Sequence, residues 1–292
     1  MIDTSLVLPD GRLLAYTDCG DSQGDLVMYF HGAPSSRFDL VRFDEDFAAR
    51  SVRLVSPERP GYGGSSPIAT RTRADWANDV AALADHLGHD RFAVMGASSG
   101  GPYAIACAAL LPERVVGAAA IAAVTDMAWA GAWESLFEFE VTLMRRGDFA
   151  DIVRWCEDNL GTDGAKFADV ALPLGAADLA YLDSPEEKVS IAAWSVPFTQ
   201  GICGYAQDIE LQSHPWEFST SSIRARVTVV HGHEDGIVST SHARHTASLI
   251  PGAILEILPG HGHLSILVEC PRVAQELVAP LRSGGLSVGE SS

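Results

Sequence analysis

The sequence is poor in cysteine and has no long apolar run. Five cysteines are scattered among 292 residues without a CxxC spacing. An odd and scattered set of this kind is typical of free thiols, and it argues against a disulfide framework or a cysteine-based zinc site. No segment reaches the roughly 18 consecutive apolar residues of a membrane span, so we expect no membrane association.

Basic residues are also scarce, with 20 Lys+Arg against 38 Asp+Glu and a formal net charge of -18. Such a surface repels nucleic acid and anionic lipid, which excludes both as expected partners. Residues 124–220 alone hold 17 Asp+Glu and 5 Lys+Arg. This acidic segment is interpreted as a solvated face, with attraction of cationic substrates as the alternative.

The first residues, MIDTSLVLPDGR, lack the basic region and apolar run of a signal peptide, so we expect a cytoplasmic protein. A hydrophobic content of 47% is ample for a core. The length suits one large α/β domain, or a core domain that carries an inserted subdomain.

Strand and helix patterns alternate along most of the chain. A hairpin is indicated at 5–16, around the turn Pro9-Asp10-Gly11. Apolar runs predict strands at 26–30, 52–56, 92–95, 115–123, 227–230 and 254–258. Helical spacing is found at 38–50, 74–87, 100–111, 241–250 and 264–281. Repeated β-α units predict a mostly parallel sheet with helices on both faces and a site at the carboxyl ends of the strands.

The alternation stops at 126–217, where Trp, Phe and Glu recur at helical spacing and no strand is evident. We therefore predict a helical cap at 124–220, inserted into an α/β core formed by 1–123 and 221–284. The glycine- and serine-rich end of the chain predicts a disordered tail at 285–292.

The segment GASSG at 96–100 matches G-x-S-x-G between a predicted strand and a predicted helix. In this context the pattern is typical of a nucleophile elbow, in which glycines allow strand and helix to approach closely. Ser98 is the predicted nucleophile. Ser99 is the alternative, but it would require a glycine where Ala97 stands.

The segment HGAP at 31–34 follows the first core strand. An oxyanion hole needs two backbone N–H donors, one of them from the residue after the nucleophile, which is Ser99. Pro34 has no N–H, so Ala33 is the predicted second donor and Gly32 the alternative. The side chain of His31 is expected to anchor the loop.

Two later segments, HGHEDG and PGHGH, each follow a predicted strand. The order Ser…Asp…His is the one expected when the nucleophile lies on such an elbow. We predict His263 as the general base, because it begins the last predicted helix on a glycine-flanked turn, and Asp235 as the acid that orients it. Glu234 and Asp126 are alternative acids, and His261 is the alternative base.

The same segments contain two H-x-H pairs, His231 with His233 and His261 with His263, which together with Asp235 could form a zinc site. A metal site would leave the serine elbow and the HGAP segment without a role. We therefore predict a protein without a metal or other cofactor, acting on a small-molecule substrate.

Five segments together resemble the α/β-hydrolase superfamily over nearly the whole chain: FHGAPSSR (30–37), RPGYGGSS (59–66), GASSGGPYA (96–104), GHEDGIV (232–238) and GHGHLSIL (260–267). The resemblance implies an eight-stranded, mostly parallel, doubly wound sheet with a helical cap inserted after the sixth strand. It also implies a structural role for the RPGYG segment. A serine at 98 differs from the haloalkane dehalogenase and epoxide hydrolase branches, which have an aspartate there.

The resemblance implies a serine hydrolase, with a carboxylesterase for small or medium esters as the first expectation. The alternatives are a proline iminopeptidase-like aminopeptidase, a carbon–carbon bond hydrolase, a haloperoxidase-like enzyme and a slow-turnover small-molecule sensor. Cap acids such as Glu134 and Glu138 would hold the ammonium group of an aminopeptidase substrate, although HGAP differs from the HGGPG usual there.

Aromatic residues of the predicted cap are candidates for the substrate pocket, namely Trp129, Trp133, Phe137 and Trp194. The alternative is that they pack the cap helices together. The sequence is compatible with a homodimer formed through the cap.

Overall fold

The computed structural model describes residues 1–184 and 196–283, which contain one eight-stranded sheet in the order β1-β2-β4-β3-β5-β6-β7-β8. The strands are β1 (Ile2–Val7), β2 (Leu13–Gly20), β3 (Asp25–Phe30), β4 (Val52–Pro57), β5 (Phe92–Ala97), β6 (Val115–Ile121), β7 (Arg226–Gly232) and β8 (Ile254–Leu258). β2 pairs antiparallel with both β1 and β4. All other neighbouring strands are parallel, which confirms the predicted sheet.

The helices are α1 (Asp44–Ala48), α2 (Arg73–His86), α3 (Gly101–Leu110), α4 (Ala130–Glu134), α5 (Glu138–Met144), α6 (Phe149–Leu160), α7 (Ala176–Leu182), α8 (Cys203–Ser213), α9 (Thr240–Leu249), α10 (Cys270–Leu277) and α11 (Ala279–Ser283). None of these helices is both long enough and apolar enough to cross a membrane.

Two predicted helices are broken in the structure. The segment 38–50 forms a 3-10 turn at Val41–Phe43 followed by the short α1, and the segment 264–281 forms a 3-10 turn at Ser265–Glu269 followed by α10 and α11. Pro271 stands in the first turn of α10, where its missing N–H is tolerated, whereas inside a longer helix it would remove a hydrogen bond. His263 therefore lies in a loop before the helix and does not begin it.

Alternate residues of each central strand pack on opposite faces of the sheet. Met28 of β3 lies in one apolar cluster with Trp76 of α2. Its neighbour Val27 lies in another cluster, which contains Phe47 of α1 and Val273 of α10. Because successive strand residues point to opposite sides, these clusters show helices on both faces, as a doubly wound sheet requires.

Helices α4 to α8 lie between β6 and β7, and we call residues 122–225 the helical insertion. It builds a third apolar cluster, which includes Val141, Ile152 and Ile209. The predicted cap boundaries, 124 and 220, fall inside this segment. The predicted tail at 285–292 lies outside the described residues.

Helix α2 begins with a reciprocal pair of hydrogen bonds. The Thr72 hydroxyl accepts from the Asp75 N–H, and the Asp75 carboxylate accepts from the Thr72 N–H at 2.8 Å. Thr72→Ala is therefore expected to lower the free energy of unfolding by about 1 kcal/mol, measured by urea denaturation. The exposed neighbour Thr70→Ala is the control and should change it by less than about 0.5 kcal/mol. Equal effects of the two substitutions would contradict the capping role.

Candidate active site

Ser98 lies on a sharp bend between β5 and α3 and has a φ of 52°, in the left-handed region that side chains rarely adopt. A Cβ at Gly96 would overlap the carbonyl oxygen of Gly100, and a Cβ at Gly100 would overlap the carbonyl oxygen of Phe30. Both positions therefore require glycine. The bend holds the Ser98 side chain at the carboxyl end of the sheet, where this fold forms its sites.

Ser98 and His263 lie in the wall of one cavity of about 120 Å³, together with Gly32 and Ala33. The two side chains are separated by 165 positions in the sequence, and the parallel sheet brings them together because β5 and β8 end at the same edge. The predicted nucleophile and the predicted base thus face the same space.

His263 is held by the carboxylate of Asp235, whose Oδ2 lies 2.8 Å from His263 Nδ1. The other oxygen of Asp235 accepts the N–H groups of Ile237 and Val238, each at 2.9 Å. A second imidazole, that of His231, places Nε2 at 3.1 Å from Asp235 Oδ2. This network assigns the hydrogen of a neutral His263 to Nδ1, which leaves Nε2 as a proton acceptor.

The charges of this pair shift both ionisations. Burial raises the pKa of Asp235, but the charge of His263 and the hydrogen bonds from His231 and His263 outweigh burial and hold that pKa well below its usual range. Burial lowers the pKa of His263, but the Asp235 carboxylate more than offsets this effect, so the net pKa is raised.

The alternative acids and base make other contacts. Glu234 accepts the N–H of Gly260 at 3.0 Å, and Asp126 accepts the N–H of Trp216 at 3.1 Å. His261 Nδ1 lies 3.3 Å from the carbonyl oxygen of Ser265. These side chains stabilise loops, and only the carboxylate of Asp235 faces His263 Nδ1 among the described hydrogen bonds.

The two H-x-H pairs do not converge on one point. His231 Nε2 lies 2.8 Å from the carbonyl oxygen of Val238, so it carries a hydrogen there and points no lone pair at a cation. Within residues 1–184 and 196–283, no group of three or more His, Cys, Asp or Glu side chains is placed to hold a metal ion.

The HGAP loop lies against the serine, since a Cβ at Gly32 would stand 3.4 Å from Ser98 Cβ. Among the described residues, no protein acceptor hydrogen-bonds the N–H groups of Ala33 and Ser99. Two unpaired backbone donors beside a hydroxyl are the groups that an oxyanion hole needs. The His31 side chain accepts the Arg59 N–H at 3.2 Å, as expected of an anchor for the loop.

Arg59 supports the same loop. The sequence implied only a structural role for the RPGYG segment and did not indicate this contact. Its guanidinium donates to the carbonyl oxygens of His31 and Gly32, the latter at 2.8 Å. It also pairs with Asp208 of α8 at 2.8 Å, and both side chains are fully buried. The helical insertion therefore supplies the counter-charge for the residue that holds the HGAP loop.

Asp208 is surrounded by donors. It accepts from the guanidiniums of Arg59 and Arg71 and from the hydroxyls of Tyr62 at 2.6 Å and Tyr103 at 2.7 Å. Burial raises the pKa of Asp208, but the charges of the two arginines outweigh burial and keep that pKa well below its usual range. The carboxylate is therefore ionised inside the protein.

The described part of the helical insertion contributes Glu140, Phe167, Leu172 and Tyr181 to the cavity wall. Three of the predicted pocket residues, Trp129, Trp133 and Phe137, are not in this wall, because they pack inside the insertion or against α9. Trp129 stacks on His245 at 4.5 Å, the Trp133 indole donates to the Met127 carbonyl at 3.0 Å, and Phe137 stacks on Phe139 at 6.0 Å. Trp194 lies outside the described residues.

Among the described residues of the insertion, Glu140 is the charged one in the wall, whereas the sequence indicated its exposed neighbours Glu134 and Glu138. Burial raises the pKa of Glu140 to about 7. Its hydrogen-bond partner is the side-chain amide of Gln212, at 3.4 Å, and that amide accepts the Ser99 hydroxyl at 2.6 Å. A carboxyl with one long hydrogen bond is poorly compensated for the loss of water.

The chain belongs to the alpha/beta hydrolase fold family, whose model matches residues 25–269. The chain is thus a hydrolase with the eight-stranded sheet of this superfamily.

Two curated relatives and one solved structure illustrate the likeness. A proline iminopeptidase of Xanthomonas citri is 28% identical, over 82% of this chain and 68% of its own length. A bifunctional esterase/perhydrolase of Acinetobacter calcoaceticus is 24% identical, over 94% and 98%. The structure of a thermophilic esterase from Thermogutta terrifontis superimposes with a TM-score of 0.69 at 21% identity, over 97% of this chain and 99% of that one.

The Asp235 carboxylate is expected to keep the pKa of His263 above the ordinary value near 6.5. In Asp235→Asn the largest influence that raises this pKa is lost, and only the weaker effects of Glu140 and Asp178 oppose burial, so His263 should titrate at lower pH than in the wild type. NMR titration of the imidazole resonances measures the His263 pKa in the wild type and in Asp235→Asn. Glu234→Gln removes the adjacent carboxylate, which faces Gly260, and it should leave the His263 titration near that of the wild type. A shift of the same size in both variants would contradict the assignment of Asp235.

Proposed function

We propose that this hydrolase uses Ser98 as a nucleophile and cleaves small or medium carboxylic esters through an acyl-enzyme. The observation that carries the proposal is the shared cavity, whose wall contains both a serine with a strained backbone and a buried imidazole that hydrogen-bonds a buried carboxylate. This is the combination of nucleophile, base and orienting acid that activates a hydroxyl.

In the first half-reaction His263 Nε2 takes the Ser98 proton as Oγ bonds to the carbonyl carbon of the ester. The carbonyl oxygen becomes negative and accepts hydrogen bonds from the Ala33 and Ser99 N–H groups. As the carbon–oxygen bond of the leaving alcohol breaks, His263 gives its proton to that oxygen. Asp235 stabilises the imidazolium in between and keeps its ring oriented.

The second half-reaction repeats these roles with water. His263 Nε2 accepts a proton from water, whose oxygen bonds to the acyl carbon. The tetrahedral species collapses as the bond to Ser98 Oγ breaks, and Oγ recovers the proton from His263. The acid leaves and the free enzyme is restored.

Two observations favour an ester as the substrate: the apolar residues of the cavity wall and the name of one relative. Phe167, Leu172 and Ile237 supply apolar surface in the cavity that also contains Ser98, which suits an uncharged acyl group of small or medium size. The relative from Acinetobacter calcoaceticus carries the name of an esterase. A cytoplasmic location and a homodimer stay predictions from the sequence.

An aminopeptidase is the second candidate, and the observation that favours it is Glu140. An ionised carboxylate in the wall would bind the ammonium group of a substrate, and the described wall contains no lysine or arginine to compete. The relative from Xanthomonas citri is named a proline iminopeptidase. An amide is harder to cleave than an ester, so the two candidates separate by substrate.

A fluorophosphonate probe should label Ser98, because the activated Oγ attacks phosphorus as it attacks an ester carbon. Peptide mapping should find the label on Ser98 and on neither Ser99 nor Ser35. Ser98→Ala should lose label and lower turnover of p-nitrophenyl butyrate by at least about a thousandfold. Full activity in Ser98→Ala would refute the assignment of Ser98 as the nucleophile. A single slow turnover in the wild type would favour a small-molecule sensor over an enzyme.

Glu140 separates the two substrate classes. If it binds an ammonium group, Glu140→Gln should lower kcat/KM for L-proline p-nitroanilide by about tenfold more than for p-nitrophenyl butyrate. Glu138→Gln is the matched control, because Glu138 is exposed on the same helix α5. Equal losses on both substrates would exclude ammonium binding by Glu140, and a wild type without amidase activity would leave the ester as substrate.

A further inference from the structure

Asp178 is a fully buried carboxylate on α7 of the helical insertion. Sequence reasoning gave it no role, and it is not in the cavity wall. Within the described residues no arginine, lysine or histidine side chain forms an ion pair with it. A buried carboxylate without a cation is costly unless hydrogen bonds compensate for the lost water.

The compensation comes from the loop that carries His263. Asp178 Oδ2 accepts the His263 N–H at 2.9 Å. Oδ1 accepts the Leu264 N–H at 3.0 Å, the Ser265 N–H at 2.8 Å and the Ser265 hydroxyl at 2.8 Å. Three successive backbone donors therefore converge on one side chain from a distant part of the chain.

The loop is shaped to receive this carboxylate. A Cβ at position 262 would overlap the carboxylate of Asp178, so Gly262 leaves the space that the side chain occupies. The Gly262 N–H donates to the Ser265 hydroxyl at 2.8 Å, and that hydroxyl in turn donates to Asp178. The 3-10 turn Ser265–Glu269 begins here, and its first N–H groups would otherwise lack acceptors.

We propose that Asp178 is a positioning residue, which holds the main chain of His263 so that its imidazole is presented to Ser98. The inference rests on the proposed function, because it concerns the base of that reaction. Asp235 orients the ring through Nδ1, and Asp178 fixes the backbone from which the ring extends. The helical insertion thus contributes to the geometry of the base as well as to the wall of the cavity.

The negative charge of Asp178 has a second effect. It adds to the influence of Asp235 and Glu140, which together raise the pKa of His263 against the effect of burial. The charged groups that raise this pKa are all carboxylates. Removal of the Asp178 charge lowers the proton affinity of His263, whereas a purely structural disturbance has no such defined direction.

Asp178→Asn tests the proposal. The amide keeps the shape, but its NH₂ group faces backbone N–H donors and cannot accept from them. We expect kcat for p-nitrophenyl butyrate to fall by on the order of a hundredfold with KM within about twofold, as a displaced base would cause. We expect the acid limb of kcat/KM to move to lower pH, and amide hydrogen exchange of residues 263–265 to accelerate.

Asp169→Asn is the matched control, because Asp169 is an exposed aspartate of the same insertion. The proposal would be overturned if Asp178→Asn kept the kcat of the wild type and its acid limb of kcat/KM. It would also be overturned if kcat fell while that acid limb stayed at the same pH. If Asp178→Asn does not fold, Ser265→Ala removes one of the four donors and should lower kcat by about fivefold. An unchanged kcat there would overturn it too.

The proposed function fails in a different way. If wild-type protein neither hydrolyses esters nor takes the fluorophosphonate label on Ser98, there is no reaction for Asp178 to support. The exchange rates of residues 263–265 and the titration of His263 are measured without substrate. They report the positioning of the imidazole whether or not the wild type turns over.

Discussion

The close crossing of β5 and α3 over the end of β3 is the constraint on which the rest of the site depends. A Cβ at Gly100 would overlap the carbonyl oxygen of Phe30, the last residue of β3, and the HGAP loop begins at the next residue. The absence of a side chain at Gly100 therefore sets the separation between the bend that holds Ser98 and the loop that holds Ala33. A larger residue would change both positions together.

Buried carboxylates around this crossing are stabilised in different ways. Asp208 pairs with two guanidinium groups. Asp235 contacts two histidine side chains and accepts hydrogen bonds from two backbone N–H groups. Asp178 relies on backbone N–H groups and a hydroxyl. Glu140 has one long hydrogen bond, and burial raises its pKa to about 7. The carboxyl with the weakest compensation faces the cavity, where a substrate could supply what the protein does not.

The sheet and the closely spaced parts of the site were predictable, because each is marked by local sequence. Apolar runs gave the strands, and the G-x-S-x-G pattern located the bend at Ser98. The roles of Asp178, Asp208 and Glu140 were not predictable, since no local pattern links a residue of the insertion to the loop it contacts. Helical spacing alone favoured the large aromatic residues for the pocket. Trp129, Trp133 and Phe137 instead pack within the insertion or against α9, and the insertion presents other residues to the cavity, among them Phe167 and Tyr181.

The buried ion pairs of Asp208 limit which helical insertions of related proteins could replace the one in this chain. Two core arginines, Arg59 and Arg71, are buried with their counter-charge on the insertion. If the whole insertion were replaced by one without a carboxylate at this position, Arg59 and Arg71 would be buried without a counter-charge. This would lower the free energy of unfolding by several kcal/mol. Substrate range can therefore diversify residue by residue along the cavity wall, whereas a grafted module must bring the matching carboxylate with it.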